Sequence, residues 1–494
     1  MSIGACTRPA EDENEPWKAN QGFVVPTQSE TTNNNTYIIN PRTDDQPILT
    51  PTPDAPHPIP GMRSDTEEYT VQPGDTLGQI AEGFGVSIDA IAEASNIENI
   101  NILSVGQVLV IPPPDPVATG PNFKIIPDSE LVASPVTAYF DTVDFAYQKN
   151  GYLIRHEEEV DERLLTGVQI VQLIAQDFSV NPRLLLAVLE YQSSWVTNSN
   201  PPSETLKYPI GWRDPKREGL YRQLAWAANE LNRGFYMWRV NGVPSWTLED
   251  NTVVPIDPTI NAGTAGVQHF FAKLYGAKFW ERTVSEEGFF AVYNELFGYP
   301  FDYALEPVVP TGLTQPTFQL PFETGKVWSF TGGPHGGWGD GSAWAALDFA
   351  PPADDVGCIP SDEWVVAMTN GLIVRADNGA VVQDLDGDGN EQTGWTLLYM
   401  HIESRDRVQP GTYLQAGSPI GHPSCEGGIS NGTHVHIARR YNGEWIPADQ
   451  DLLFILDGWV SIGTGDVYQG SLSKDGITVE AEGNRRIPES LIQR

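Results

Sequence analysis

Apolar and polar positions change rhythm several times along the chain. Up to about residue 65 there is no sustained apolar period, and Pro, Asn, Thr, Asp and Glu predominate. Such a stretch cannot bury enough apolar surface to offset its chain entropy, so residues 1–65 read as a disordered acidic, Pro-rich tether. Residues 66–114 are patterned. Tyr69-Thr70-Val71 reads as a short strand and Gln72-Pro73-Gly74-Asp75-Thr76-Leu77 as a turn. Leu77, Ile80, Ala81 and Phe84 then mark a helix, a second helix falls around 88–94, and Gln107–Pro112 closes as a strand. Pro112–Pro116 is a stiff linker. Over 122–306 the spacing is mainly helical, as in Leu164, Val168, Ile170, Val171, Leu173 and Ile174. Val180-Asn181-Pro182 breaks that helix and opens another, Leu184–Trp195. After a Pro-rich joint, runs at 364–368, 371–375 and 396–400 alternate with Gly- and Asp-rich turns, predicting an antiparallel β domain over 318–470. Residues 471–494 read as a C-terminal tail. The fold class is thus multidomain α+β: a small βααβ module, a mainly α-helical middle domain and an antiparallel β-sheet domain.

Charge narrows the function classes. With 29 basic and 65 acidic residues the formal charge of the 494-residue chain is −36, which repels nucleic acid and anionic membrane. No run of about 18 apolar residues exists for a membrane span, and no charged start with an apolar centre marks a signal peptide. Ile3-Gly4-Ala5-Cys6 nevertheless resembles the lipobox of bacterial lipoproteins, which would make Cys6 a lipidation site; the alternative is a chance match over four residues. With Cys6 as an anchor, Cys358 and Cys425 remain as an even pair, either a disulfide of an exported protein or two unrelated buried thiols.

Five of the eight histidines, His335, His401, His422, His434 and His436, lie within about a hundred residues of one another. His434-Val435-His436 opens a strand-like run, and residues i and i+2 of a strand share a face, so both imidazoles reach one site. A catalytic zinc needs three protein ligands and an open position. His422, in a loop near Cys425, reads as solvated or as part of a substrate rim. A second metal signal is Asp384-Leu385-Asp386-Gly387-Asp388-Gly389-Asn390. Acidic residues at positions 1, 3 and 5 with Gly at 6 match half of a calcium loop. Trp395 at position 12 excludes a full EF-hand, leaving either a Ca²⁺-stabilised hairpin tip on Asp384, Asp386, Asp388 and Asn390 or a plain acidic turn.

Three family resemblances follow. Tyr69-Thr70-Val71-Gln72-Pro73-Gly74-Asp75-Thr76-Leu77 with Gly106–Pro112 resembles a LysM module, implying binding to the N-acetylglucosamine backbone of peptidoglycan or chitin through Gly74, Asp75, Thr76 and Asn96. Leu184–Trp195 resembles the catalytic helix of lysozyme-like lytic transglycosylases, but Gln192 stands where the general acid Glu belongs. A glutamine cannot protonate a leaving oxygen, and Glu190 lies about 200° away around the helix, so a degenerate lysozyme-like domain is implied. Trp195, Trp212, Trp226, Trp238 and Trp246 read as core residues, with stacking on sugar rings the alternative.

His335 with Leu347-Asp348-Phe349, Tyr399-Met400-His401-Ile402 and Gly432-Thr433-His434-Val435-His436 resemble the lysostaphin-type zinc metallopeptidases. The resemblance implies Zn²⁺ on His335, Asp348 and His436, with His401 and His434 as catalytic residues. One departure stands out: the family's first His comes about four residues before the Asp, where this chain has Trp344. His335 lies thirteen residues ahead across a Gly-rich stretch, which a looped-out insertion would accommodate at little entropic cost. The implied protein is an extracellular or envelope endopeptidase on peptidoglycan cross-links or stem peptides. The rival is a non-catalytic peptidoglycan-binding or regulatory protein on a degenerate peptidase fold.

Overall fold

A computed structural model describes residues 51–58, 65–97, 99–113, 119–353, 357–483 and 487–494. Cys6 and its lipobox-like neighbours lie outside the described residues. No described helix is long and apolar enough to cross a membrane.

Strands Glu67–Thr70 and Val108–Ile111 pair antiparallel around helices Leu77–Phe84 and Ile88–Ala94, giving the βααβ order. Thr76 starts the first helix by accepting from the Gln79 amide, and Ser87 starts the second by accepting from Ala90. Val71, Leu77, Ile80, Ile91, Leu109 and Ile111 fill the module's core. The stretch just before it departs from the tether reading. The Asp54 and His57 amides donate to Thr259 and Pro258 carbonyls, the His57 ring stacks on Trp238 at 4.4 Å, and Lys124 pairs with Asp54 at 2.7 Å. Backbone donors and one ring, not an apolar period, seat residues 51–58.

The middle region is built on helices Gly167–Phe178, Pro182–Ser193, Leu220–Arg239 and Ala262–Ala272. Thr166 and Gln169 form a capping box, and Asn181 caps a helix whose first position is Pro182. Leu184 to Leu189 are all fully buried. Trp195, Trp226, Trp238 and Trp246 are buried too, while Trp212 stacks on Trp226 at 4.6 Å. Gln192 accepts from the Tyr275 hydroxyl, and Glu190 accepts from the Val196 and Thr197 amides. Glu190 thus braces the turn after its own helix.

The β domain is a nine-stranded antiparallel sheet among the described residues. Its order runs Tyr413–Leu414, Gly371–Asp377, Ala380–Asp384, Trp395–Met400, Val435–Tyr441, Ala346–Ala350, Val327–His335, Leu491–Gln493, with Glu444–Trp445 added beside Val435–Tyr441. Residues 471–494 are therefore not a tail. Gly470–Lys474 and Ile477–Glu480 belong to a second four-stranded sheet, and Leu491–Gln493 pairs with Val327–His335. Each of these strands buries a single apolar residue, Leu472, Val479 or Ile492, too few to show alternation in sequence.

Alternation gives the main sheet two different faces. Phe330, Leu347, Phe349, Leu397, Tyr399, Val435 and Ile437 turn into the domain's own core. Ala346, Ala380, Val382, Leu398, Met400 and Ala438 instead join the core of the helical region. The small alanines let the helices come close. Polar groups stitch the same face: Ser179 donates to the Gly443 carbonyl, the Tyr236 hydroxyl accepts the Trp445 amide, and Arg239 meets Glu444 at 2.5 Å. Partly buried Arg375 bridges Asp177 at 2.6 Å and Glu391 at 3.3 Å, and Arg440 adds a 2.7 Å contact to Glu391.

Removing one member of a buried ion network leaves its partners uncompensated. Arg375→Met should therefore lower unfolding free energy by about 3–5 kcal/mol, read from urea midpoints. A second test concerns pH. Burial pushes the Asp177 carboxyl from its ordinary 3.8 up to about 6, against the pull of Arg375. A folded pKa above the unfolded one means that this group favours the fold most below pH 3.8, a contribution lost as pH rises through about 6. Asp177→Asn should flatten the melting temperature across that window.

Candidate metal centre and its flanking histidines

The strand that carries His335 pairs with Ala346–Ala350 through two irregularities, Gly332 facing Asp348 and His335 facing Ala346. The chain loops out over 336–345 and returns, so the thirteen-residue spacing still brings His335 beside Asp348. Asp348 in turn lies directly opposite His436 on Val435–Tyr441. A side chain at Gly332 would collide with the Asp348 carboxylate at 2.6 Å, which explains a glycine there.

His335, Asp348 and His436 bring ligand atoms within 4.8 Å of one another, all buried. His335 Nε2 lies 3.0 Å from His436 Nδ1 and 3.3 Å from Asp348 Oδ1, and His436 Nδ1 lies 3.2 Å from the same oxygen. The opposite ring nitrogens are already committed: His335 Nδ1 donates to the Gly333 carbonyl at 2.8 Å and His436 Nε2 to that of Gly337 at 3.0 Å. In the neutral rings the two nitrogens facing each other are then both lone pairs. Asp348 Oδ1 is buried without a hydrogen-bond partner. Two lone pairs and an orphaned carboxylate oxygen repel one another unless a cation sits among them, so the donor set fits a borderline metal such as zinc.

His401 and His434 flank this triad. Alternation alone would turn His401 to the face of Tyr399, away from the triad. Its left-handed backbone, φ 64, re-aims the ring so that it lies 4.4 Å from His434 and 6.3 Å from His436 between centroids. Its Nδ1 donates to the Glu426 carbonyl at 3.0 Å, and His434 Nδ1 to that of Gly432 at 2.7 Å. Both Nε2 atoms are left free of those carbonyls, that of His434 lying 3.8 Å from Asp348 Oδ1. Burial pushes the His401 imidazole down to about 3, with the neighbouring His434 and His436 acting in the same direction, so the His401 ring is neutral.

Other expected residues fall elsewhere. His422 is not solvated. It is buried, donates to the Glu363 carbonyl at 2.9 Å and packs on Trp364 at 4.1 Å. Asp384, Asp386 and Asp388 also gather ligand atoms within 4.8 Å, and Asp384 accepts from the Asp386, Gly387 and Gly389 amides of its own turn. Asn390 donates its amide to Asp388. In the βααβ module Asp75 accepts from the Tyr69 hydroxyl and the Gln72 amide, and Asn96 takes a left-handed turn position near the Ser95 cap. Cys358 and Cys425 are joined by a disulfide with Cα atoms 5.7 Å apart.

The sequence reading missed Tyr468, whose ring stacks on His335 at 4.2 Å, and the carbonyls of Gly333, Gly337, Glu426 and Gly432. Backbone carbonyls have no side-chain signature, and Tyr468 stands in a stretch with no spacing relation to the histidines. Trp445 presses on Gly337, where a Cβ would meet the indole at 2.5 Å; this close fit fixes the carbonyl that orients His436.

A buried two-histidine, one-aspartate centre on an antiparallel sheet, preceded by a helical domain and a βααβ module, defines a candidate metalloenzyme architecture. Residues 69–112 match the LysM domain family, and residues 124–309 match the family described as LasA, N-terminal domain. The middle region is thus matched to a LasA-type domain where the sequence suggested a lysozyme-like one. Protease LasA of Pseudomonas aeruginosa strain UCBPP-PA14 is 23% identical over 288 residues, covering 54% of this chain and 65% of that protein. The chain accordingly spans 65% of the length of this curated relative. The N-acetylmuramoyl-L-alanine amidase XlyA of Bacillus subtilis is 38% identical over 74 residues, 15% of this chain and 25% of its own. Among solved structures, an M23 metalloprotease from the deep sea, pseudoalterin, aligns at 24% identity with a TM-score of 0.29, covering 34% of this chain and 96% of that one. The catalytic domain of lysostaphin from Staphylococcus simulans aligns at 25% identity with a TM-score of 0.18, covering 24% and 87%.

Metal analysis of the full chain dialysed against zinc should find about one ion per wild-type molecule and far less in Asp348→Asn. Chelation should lower the wild-type melting temperature and leave that of Asp348→Asn almost unmoved, since only a protein that binds the ion gains from it.

Proposed function

We propose that this chain is a zinc-dependent endopeptidase that hydrolyses peptide cross-links or stem peptides of bacterial peptidoglycan, held at its polymer by the LysM module. The observation that carries the reading is the convergence of two imidazole lone pairs and one unpartnered carboxylate oxygen, flanked by two more histidines whose Nδ1 atoms, not Nε2, are held by backbone carbonyls.

His335, Asp348 and His436 would hold zinc, which when bound supplies Lewis acidity to a scissile carbonyl and to water. Two neutral ligands and one carboxylate leave net positive charge there. His401 and His434, each fixed as the Nδ1–H tautomer by a carbonyl, present Nε2 as a proton acceptor towards the attacking water. Once protonated, the same nitrogen donates to the oxyanion or to the leaving amine. Tyr468 covers one side of His335 and narrows the approach of solvent.

LysM would raise the local concentration of the active site along the glycan, with Gly74, Asp75, Thr76 and Asn96 at the contacting loops. Such a substrate places the protein outside the cell or in the envelope, and lipidation of Cys6 would add an anchor there. In this reading the 384–390 turn binds Ca²⁺ only as a brace for its hairpin.

The test is digestion of purified peptidoglycan, read as new amine termini against new reducing ends. His401→Ala and His434→Ala should keep the metal yet lose about 10²–10⁴ in turnover. Reducing ends without new amines, or full activity in both variants, would sink the proposal.

A further inference from the structure

The disulfide joins two loops that each brace a different flanking histidine. On one side is Cys425. Its neighbour Glu426 supplies the carbonyl that accepts from His401 Nδ1, and the preceding Ser424 donates both amide and hydroxyl to the His401 carbonyl. Those two bonds hold the left-handed turn that aims the ring. Cys358 lies on the other side, between Gly357, whose carbonyl accepts the Thr433 amide at 3.0 Å, and Ile359, whose amide donates to the Thr433 hydroxyl at 2.8 Å. Thr433 immediately precedes His434. Between the two sides stands Ser430, with its Oγ 3.4 Å from Cys425 Sγ and 3.4 Å from His434 Nδ1.

The three residues of the metal triad are held from elsewhere. His335 leans on Gly333, His436 on Gly337, and Asp348 sits in the register of the central strands. One covalent link therefore spans the supports of both His401 and His434 and touches none of the triad's own.

We propose that Cys358 and Cys425 are positioning residues, their disulfide fixing the mutual geometry of His401 and His434 so that its reduction disarms proton transfer while the metal triad stays assembled. The inference rests on the peptidase reading above. A phosphine reductant opens the bond: the S–S pair takes up two electrons, water supplies two protons to the thiols and its oxygen to the phosphine oxide. The oxidising exterior in which a wall-acting enzyme works keeps the bond closed, and a reducing compartment opens it.

The experiment uses the zinc-loaded full chain, oxidised, phosphine-reduced and reoxidised, together with a Cys358→Ala/Cys425→Ala double variant. Reduction should lower kcat on peptidoglycan about 10–100-fold, as expected for misplaced catalytic groups, with KM changed less than about threefold and zinc content unchanged. Reoxidation should restore kcat. Amide hydrogen exchange should quicken at 424–434 and stay unchanged in strands 346–350 and 435–441. Turnover that survives reduction, zinc lost along with the disulfide, or unaltered exchange at 424–434 would overturn the inference. If the oxidised protein releases no amines, the peptidase reading fails, and the zinc and exchange measurements still decide whether the bond holds this pair apart from the triad.

Discussion

Two imidazole lone pairs and a carboxylate oxygen are forced to face one another within about the span of a single cation. That constraint organises the β domain around it. His335 and His436 can each spend only one ring nitrogen on the protein, and both spend the outer one on a glycine-region carbonyl. Asp348 is buried where its charge has no hydrogen-bonded outlet at Oδ1. Such an arrangement is costly when empty of charge and stable when filled, so the surrounding structure must be rigid enough to impose it.

Much of that rigidity comes from the helical domain. The loop after His335 is tied to the Leu220–Arg239 helix: the Gly341 amide donates to Asn229, Asn229 donates to Asp340, and Arg233 pairs with Asp340 at 2.9 Å. Trp445, which presses on Gly337, donates its indole N–H to the Phe178 carbonyl. The carbonyl orienting His436 is thus fixed between a loop clamped by one helix and an indole anchored by another. The domain that contributes none of the three residues still sets where His436 points.

The strongest features were legible because local chemistry declares them. Alternation in His434-Val435-His436 places two imidazoles on one face once the run is a strand, and the βααβ module shows its caps and core within fifty residues. The triad's third member, His335, was legible only as a residue type, since its spacing depends on a loop whose closure the structure alone reveals. The re-aiming of His401 could not be read either, because it follows from one backbone angle held by Ser424. The two roles of the sheet's faces were hidden for a similar reason. Ala346, Ala380 and Ala438 are too small to signal an interface, and the helices that cover them lie far away in sequence.

One consequence follows from the pairing of Asp348 with His436 and of Ala346 with Ala438. The same two-residue period that lays alanines beneath the helices turns Asp348 and His436 towards each other. A slip of either strand by one residue would bury Asp348 or His436 in the domain's own apolar core and push Leu347 or Ile437 into the helices. Both errors would occur together. The tight seat of the helical domain therefore acts as a proofreader: a sheet that fits beneath it already has Asp348 and His436 on the correct side.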